Sequence, residues 1–260
     1  LIWIGGLGDG LMTVPYVALL ARALPESWSL AQTLLSSSYT GWGTSSLKTD
    51  AAELHQCVQY FRGIKIGKIV LMGHSTGCQD VMEYLVGPDH ESRPRINGAI
   101  LQAPVSDREA ILMFMSHDQY TKSVAAAQAM VNSDKADEIL PTSETQGFFG
   151  APVTARRWLS LLSPNHDGDD DYFSSDLPAT RLNQTFGMLP ANTSLCVLYS
   201  GADEYVPAEI DKVALVSKWI DVVQKHGNVD TEYSGVIPGA THNLKKDSTE
   251  IIAELLRRVT

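Results

Sequence analysis

The chain has 260 residues, which is enough for one large domain with a substantial core. A hydrophobic fraction of 44% and a charged fraction of 19% are typical of a globular protein and exclude a disordered one. The formal net charge of −10 argues against binding to nucleic acid or to an anionic membrane, and the sequence contains no apolar run long enough to cross a bilayer.

Strand-like and helical segments alternate along the first part of the chain. Residues 1–4 have the pattern of a buried strand, so we expect further strands upstream of them, and a glycine-rich loop follows at 5–10. Alternation of this kind predicts a mostly parallel sheet with crossover helices. The next predicted elements are a helix at 16–24, a strand at 28–35, a helix at 50–62, a strand at 69–72, a helix running to about 86 and a strand at 98–103.

The alternation stops after the strand at 98–103. Residues 107–189 show helical patterns at 109–115, 120–132 and 154–162 but no pattern of a buried strand. An insertion of about 80 residues is too long for an ordinary loop, so it predicts a helical cap over the C-terminal edge of the sheet. We therefore predict a core of residues 1–106 and 190–260 and a cap of residues 107–189. The core resumes with a strand at 195–199, a helix at 208–225, a strand at 231–237 and a helix at 248–259.

A nucleophile motif follows the strand at 69–72. Residues 73–77 read GHSTG, and G-x-S-x-G between a strand and a helix predicts a sharp turn that exposes the serine. We expect Ser75 to have a positive φ, because so tight a turn strains the backbone. Side chains at Gly73 and Gly77 would collide with each other and with the neighbouring strand. The turn would hold Oγ of Ser75 where a histidine and a substrate carbonyl can reach it.

A base and an acid follow later in the chain, each at the end of a predicted strand. A serine hydroxyl needs a base, and the base needs an orienting acid. Asp203 lies in the turn after the strand at 195–199, with Glu204 as the neighbouring alternative, and His242 follows the last strand. Open α/β sheets place their ligands at this edge. The order Ser75, Asp203, His242 is that of the α/β-hydrolases and predicts a catalytic triad.

The predicted reaction also needs hydrogen-bond donors for an oxyanion. We expect the backbone N–H groups of Thr76 and Leu7 to supply them, with Gly8 as the next candidate in the glycine-rich loop. That loop has neither the G-x-G-x-x-G spacing nor a P-loop lysine. The sequence contains no metal-ligand spacing either, so we expect no cofactor and no bound metal.

Each of several other polar residues near these motifs allows a structural and a functional interpretation. His74 is expected to pack beside the elbow rather than to act in catalysis, because a side chain one residue before the serine points elsewhere. Asp9 would bond within its own loop or contact substrate. An acidic run in the cap would be a solvated loop or would attract a cationic substrate with free amines. The run comprises Asp167, Asp169, Asp170, Asp171 and Asp176.

The three cysteines, Cys57, Cys78 and Cys196, lie in helical or strand-like patterns and are expected to be free buried thiols. Free thiols fit a reducing compartment, which favours a cytoplasmic protein. Two glycosylation-type triplets, at 183–185 and 192–194, would favour secretion, but such triplets are common by chance.

Five stretches of the chain resemble a mainly fungal family of α/β-hydrolases that was long filed as a domain of unknown function and that includes the fusarinine C esterase. The stretches are LIWIGGLGDG at 1–10, LSSSYTGWGTSS at 35–46, GHSTGCQD at 73–80, DDDYFSSD at 169–176 and SGADEYVP at 200–207. They span nearly the whole chain. Carried over position by position, the family's triad falls on Ser75, Asp203 and His242.

The resemblance implies an intracellular carboxylic ester hydrolase. Its small-molecule substrate would be a ferric hydroxamate siderophore of ester-linked hydroxyornithine units, cleaved so that iron is released. Residues in the matching stretches are expected to contact this substrate: Gly8, Trp42, Asp170 and Asp171. The alternatives are another acyl hydrolase, such as a thioesterase or lipid esterase, and a catalytically silent binding module. The sequence leaves the oligomeric state open.

Overall fold

Seven strands form one parallel sheet in the computed structural model, which describes residues 1–260 apart from the side chain of Phe149. The order is β2-β1-β3-β4-β5-β6, with β7 beside the second half of β5, and every pair is parallel. The predicted parallel sheet is confirmed. The strands are β1 (Ile2–Ile4), β2 (Ala31–Gln32), β3 (Val70–His74), β4 (Gly98–Gln102), β5 (Ser194–Ser200), β6 (Asn228–Val229) and β7 (Gly235–Ile237).

Helices cover both faces of the sheet. Successive strand residues point to opposite faces, so each strand contributes to two hydrophobic clusters. On one face Trp3, Met72 and Leu198 pack with α1 (Tyr16–Ala23) and α10 (Thr249–Val259). The other face packs against α2 (Leu47–Ile64), α3 (Gly77–Val86) and α9 (Lys212–Gln224). Two covered faces explain why the strands are almost entirely apolar.

The last strand is shorter than the sequence predicts, and a short strand that was not predicted precedes it. The pattern at 231–237 predicts one strand, whereas the structure has β6 and β7 with a turn between them. The side chain of Asp230 accepts hydrogen bonds from the backbone N–H groups of Glu232 and Tyr233, both at 3.0 Å. An aspartate that bonds the backbone ahead of it forms a turn and interrupts the ladder.

The strand predicted at 28–35 is also shorter, and the helix predicted at 50–62 is longer. The strand reduces to β2, because its partner β1 offers a ladder of only three residues. The helix begins at Leu47, since the hydroxyl of Ser46 accepts a hydrogen bond from the Thr49 N–H and caps the first turn.

Helices fill the segment between β4 and β5. They are α4 (Asp107–Phe114), α5 (His117–Asn132), α6 (Thr142–Thr145), α7 (Ala155–Leu162) and α8 (Ala179–Gln184). Three of them begin at side-chain caps, Ser106, Ser116 and Thr154. Ile139 and Thr154 form an isolated antiparallel bridge there. Of the described residues, none belongs to a helix that is both long and apolar enough to cross a membrane.

The hydrophobic clusters divide this inserted segment into two parts. Tyr120 and Trp158 belong to a cluster of the helices α4, α5 and α7. Phe173 and Phe186 instead pack with Trp219 of α9, each with ring centroids 5.5 Å from the indole. The division into a core and a cap stays a prediction. We propose that the cap ends near residue 171 rather than 189, because the residues after it pack with the main core.

A buried ion pair lies within the predicted cap, and its arginine also contacts the core. Arg157 of α7 and Asp170 lie 2.5 Å apart, and their side chains are 3% and 1% exposed. The same guanidinium donates from Nε to the backbone carbonyl of Trp42, at 2.9 Å, in the loop before α2. Because a buried charge is stable only when it is paired, these contacts should hold α7 against the core.

Removing one member of this pair is expected to destabilise the fold. Asp170→Asn leaves the guanidinium of Arg157 buried without its closest counter-charge, at an expected cost of about 3 kcal/mol in the free energy of unfolding. Urea denaturation followed by circular dichroism measures it. The neighbouring Arg156 is paired with the exposed Asp137 at 2.9 Å, so Asp137→Asn is the matched control and should leave the unfolding midpoint unchanged. Equal midpoints for both variants would contradict the proposed role.

Candidate active site

The GHSTG motif forms the predicted turn between β3 and α3. Ser75 has φ 54°, so the expected positive φ is confirmed. A Cβ on Gly73 would lie 2.2 Å from the carbonyl oxygen of Gly77, and one on Gly77 would lie 2.5 Å from that of Ile4. Side chains are excluded at both positions because three backbone segments meet there. The turn therefore raises Ser75 at the C-terminal edge of the sheet.

His242 and Asp203 form a buried hydrogen-bonded pair at the same edge. Nδ1 of His242 lies 2.8 Å from Oδ2 of Asp203. The alternative acid, Glu204, accepts a hydrogen bond from the backbone N–H of His242 at 2.9 Å and so contacts the main chain rather than the ring. A proton held on Nδ1 by a carboxylate leaves Nε2 unprotonated, which is the form that a general base requires. The geometry favours Asp203 as the orienting acid.

A cavity of about 130 Å³ brings the predicted site residues together. Ser75, Thr76 and Leu7 line it together with His242, while Asp203 lies behind the histidine ring. The roles of the Thr76 and Leu7 N–H groups stay predictions. Its apolar wall comes from the start of the inserted segment and from one later residue: Val105, Ala110, Ile111, Phe114 and Phe148.

Two of the expected substrate contacts, Asp170 and Asp171, are buried away from the cavity. Asp170 is paired with Arg157. Asp171 accepts a hydrogen bond from the Ser174 hydroxyl and lies 3.6 Å from Nε of Arg108. Neither aspartate lines the cavity. Their charges are balanced inside the protein, so this part of the acidic run is neither a solvated loop nor an attractor for a cationic substrate.

The other two expected contacts also lie outside the cavity lining. Gly8 is exposed in the loop after β1, with φ 81°. Trp42 is buried and packs edge-on against Phe148, with ring centroids 6.1 Å apart. A substrate in the cavity would meet Phe148, and Trp42 would support that ring from behind.

His74 belongs to a buried polar network beneath the site, in keeping with its expected packing role. Its Nδ1 lies 2.5 Å from Oε1 of Gln102, which also accepts the Tyr16 hydroxyl at 2.8 Å. Trp3 donates to that hydroxyl at 3.1 Å. Burial, followed by the neighbouring His242, lowers the pKa of His74 to about 4, so its imidazole is neutral at pH 7. Gln102 is the last residue of β4. The only feature of the sequence that points to its role is a polar residue at the end of a buried strand.

Asp107 is a cavity residue that the sequence analysis did not identify. Its Oδ1 accepts from the Thr76 hydroxyl at 3.3 Å and its Oδ2 accepts from the Gln79 amide at 2.8 Å. Burial raises the pKa of Asp107 to about 7. It is the first residue of α4, separated by four residues from the end of β4, and this position at the edge where α/β sheets bind ligands was a weak signal.

The described residues form neither a cluster of metal ligands nor a disulfide. Within the part of the chain that the structure describes, His, Cys, Asp and Glu side chains form no group of three or more that could hold a metal ion. All three cysteines are free thiols; Cys78 and Cys196 are buried as expected, whereas Cys57 is half-buried.

Comparison with known proteins gives relatives along the whole chain. The family model described as "Protein of unknown function (DUF1749)" matches residues 1–260. Fusarinine C esterase sidJ of Aspergillus fumigatus is 40% identical over 294 residues, covering 95% of this chain and 83% of the relative. Esterase AN6793 of Emericella nidulans is 40% identical over 317 residues, covering 100% and 84%.

Solved structures give the same grouping. The siderophore hydrolase EstB from Aspergillus fumigatus superposes with a TM-score of 0.85 at 38% identity, covering 99% of this chain and 87% of that one. A soluble variant of monoglyceride lipase from Saccharomyces cerevisiae, with a TM-score of 0.62 at 12% identity and coverage of 99% and 83%, shares the fold alone. The chain has the α/β-hydrolase fold and belongs to the family described as DUF1749.

Proposed function

We propose that the chain is a serine carboxylic ester hydrolase that cleaves the ester bonds of a hydroxamate siderophore of the fusarinine C type inside the cell. The chain's assignment as a carboxylic ester hydrolase follows from its likeness to named esterases over nearly its full length. The observation that carries the serine mechanism is the hydrogen bond between Asp203 and His242, a histidine that lines the same cavity as Ser75.

The proposed reaction is acyl transfer in two steps. His242 takes the proton of Ser75 as Oγ attacks the ester carbonyl, and the N–H groups of Thr76 and Leu7 stabilise the oxyanion. The alcohol leaves with the proton from His242. Water, deprotonated by the same histidine, then attacks the acyl-enzyme and releases the acid. Asp203 keeps the proton on Nδ1 and stabilises the imidazolium that forms in each step.

The siderophore substrate is supported by the relatives and by the size of the cavity. Two similar proteins carry the names fusarinine C esterase and siderophore hydrolase. A cavity of about 130 Å³ holds an ester and its nearest substituents but not a whole ferric trihydroxamate, so the chelate would stay at the mouth. Cutting the ester separates hydroxamates that held iron jointly, which lowers the effective concentration of each at the metal. The iron belongs to the substrate.

A lipid esterase is the second candidate. The wall that faces the serine contains Phe114, Phe148 and Ile111, which would suit an acyl chain as well as the aliphatic parts of a siderophore.

Action in the cytoplasm is part of the proposal. It is supported by three free cysteines, because free thiols suit a reducing compartment.

Kinetics can distinguish the candidate substrates. The protein is expected to cleave ferric fusarinine C with a kcat/KM higher than that for monoacylglycerols or acyl thioesters, because a small cavity with an open mouth admits an ester carried by a bulky chelate. Mass spectrometry of the products, with the acetylated siderophore and simple aryl esters in parallel, makes the comparison. A monoacylglycerol turned over faster than every siderophore would favour the lipid esterase instead.

Ser75 is the expected nucleophile. Ser75→Ala is expected to lower kcat by about 10⁴-fold or more, because the attacking hydroxyl is removed. Labelling by a fluorophosphonate should be lost as well. Ser123→Ala is the control, since this buried hydroxyl bonds only the carbonyl of Tyr120 in its own helix, and it should keep both activity and labelling. Near-normal turnover by Ser75→Ala would rule out the serine mechanism, and an unlabelled wild-type protein would indicate a silent binding module.

Substitution can distinguish the roles of the two neighbouring acids, Asp203 and Glu204. Asp203→Asn is expected to lower kcat by about 10⁴-fold, because an amide favours the wrong imidazole tautomer. Glu204→Gln keeps an oxygen that can accept the backbone N–H of His242, so its loss should be at least about 100-fold smaller. Steady-state kinetics of both variants on one ester measures the difference. The reverse order would assign the orienting role to Glu204.

A further inference from the structure

We propose that Nε2 of His74 and Oδ2 of Asp9 form a subsite for a cationic N–H donor, a primary ammonium that the substrate carries close to its scissile ester. The inference rests on the proposed function, because it places a substrate group in the same cavity. The two atoms lie 3.8 Å apart, and both residues line the cavity with Ser75 and His242.

The hydrogen-bond network fixes which nitrogen of His74 carries the proton. The amide nitrogen of Gln102 faces the backbone carbonyl of His242 at 3.4 Å, so its Oε1 points to His74 and Tyr16. Trp3 can only donate to the Tyr16 hydroxyl, which therefore donates to Oε1. An acceptor 2.5 Å from Nδ1 of His74 requires a proton on that nitrogen.

The opposite nitrogen of His74 is therefore an acceptor. Burial keeps the imidazole neutral, so Nε2 has a free lone pair. The side chain is 2% exposed, and this lone pair faces the carboxylate of Asp9 in the cavity. Two acceptors facing each other repel unless a donor lies between them. The arrangement is thus complete only when a group with at least two N–H or O–H donors is bound there.

The charge of the cavity favours a cationic donor over a neutral one. Its described lining contains the carboxyl groups of Asp9 and Asp107 but no lysine or arginine. Among the described residues, the only basic side chain within 4 Å of the Asp9 carboxylate is His74, which is neutral. Oδ2 of Asp9 accepts the Gly6 N–H at 3.0 Å and keeps a second lone pair for a further donor. An ammonium would supply the missing positive charge.

The position of Asp9 places such an ammonium near the reacting carbonyl. A Cβ on Gly6, whose N–H bonds Asp9, would lie 2.5 Å from Cβ of Ser75 and 3.1 Å from its Oγ. Two acceptors 3.8 Å apart can both accept hydrogen bonds of about 2.9 Å from one ammonium. We therefore expect the ammonium on a carbon next to the ester carbonyl or one bond further away.

A matched pair of substrates tests the subsite. Alanine ethyl ester carries the ammonium, and N-acetylalanine ethyl ester is its neutral counterpart. Their kcat/KM ratio at pH 7 is expected to fall about tenfold or more in Asp9→Asn, because the ammonium loses a charged partner. Intrinsic reactivity cancels, since both enzymes receive the same two esters. Thr13→Val is the matched control: it removes the 2.8 Å loop bond to Oδ1 of Asp9 but keeps the carboxylate, so the ratio should stay that of the wild type.

A measurement on the wild-type protein avoids any effect of the substitution on folding. Ethylammonium chloride is expected to inhibit hydrolysis of the neutral ester competitively, with an inhibition constant about tenfold or more below that of tetramethylammonium chloride, which has the charge but no N–H donor. A ratio unchanged in Asp9→Asn, or equal inhibition by the two cations, would overturn the subsite while the esterase function stands. Failure of the wild-type protein to cleave either ester or any siderophore would overturn both.

Discussion

The close approach of three backbone segments at the elbow is the constraint on which the site depends. Gly73, Gly77 and the carbonyl of Ile4 leave no space for a side chain, and β1 pairs with β3 directly at Ile4 and Gly73. A non-glycine residue at positive φ costs about 1–3 kcal/mol and persists only where its surroundings determine it. The pairing of β1 with β3 holds Ser75 in this conformation. The same pairing carries the loop after β1 to the serine, so the nucleophile and the expected oxyanion loop are positioned by one contact.

Residues that follow strands were the predictable part of the site. Ser75, Asp203 and His242 were found because each follows a strand whose hydrophobic pattern is clear, and parallel strands end at one edge. The positive φ of Ser75 followed from the glycine spacing alone. The breaks within predicted strands were not predictable from hydrophobic patterns, because they depend on single side chains such as Asp230, which bonds the backbone that follows it.

Residues whose role depends on distant partners were not predictable. Asp170 looks like part of a solvated acidic run until Arg157 is placed beside it, and local composition contains no information on that pairing. Gln102 bonds the ring of His74 and also faces the backbone carbonyl of His242, which is 140 positions further along the chain than Gln102. Asp107 follows Ser106, the serine that caps α4, and an aspartate in the first turn of a helix is common. In each case the fold creates the environment that changes the chemistry of the side chain.

The contact between the buried Arg157 and the loop before α2 has a consequence for how a substrate enters. Phe148 forms part of the cavity wall and packs against both Trp42 and Trp158 of α7, the helix that carries Arg157. Swinging α7 away like a lid would pull the buried guanidinium of Arg157 from the carbonyl of Trp42 and from the nearby carboxyl group of Asp50, in a medium of low dielectric constant, which costs several kcal/mol. The entrance is therefore formed before the substrate arrives. The enzyme would then discriminate among esters by whether one end of a rigid substrate fits a preformed opening. Substrate binding would not need to order any part of this wall.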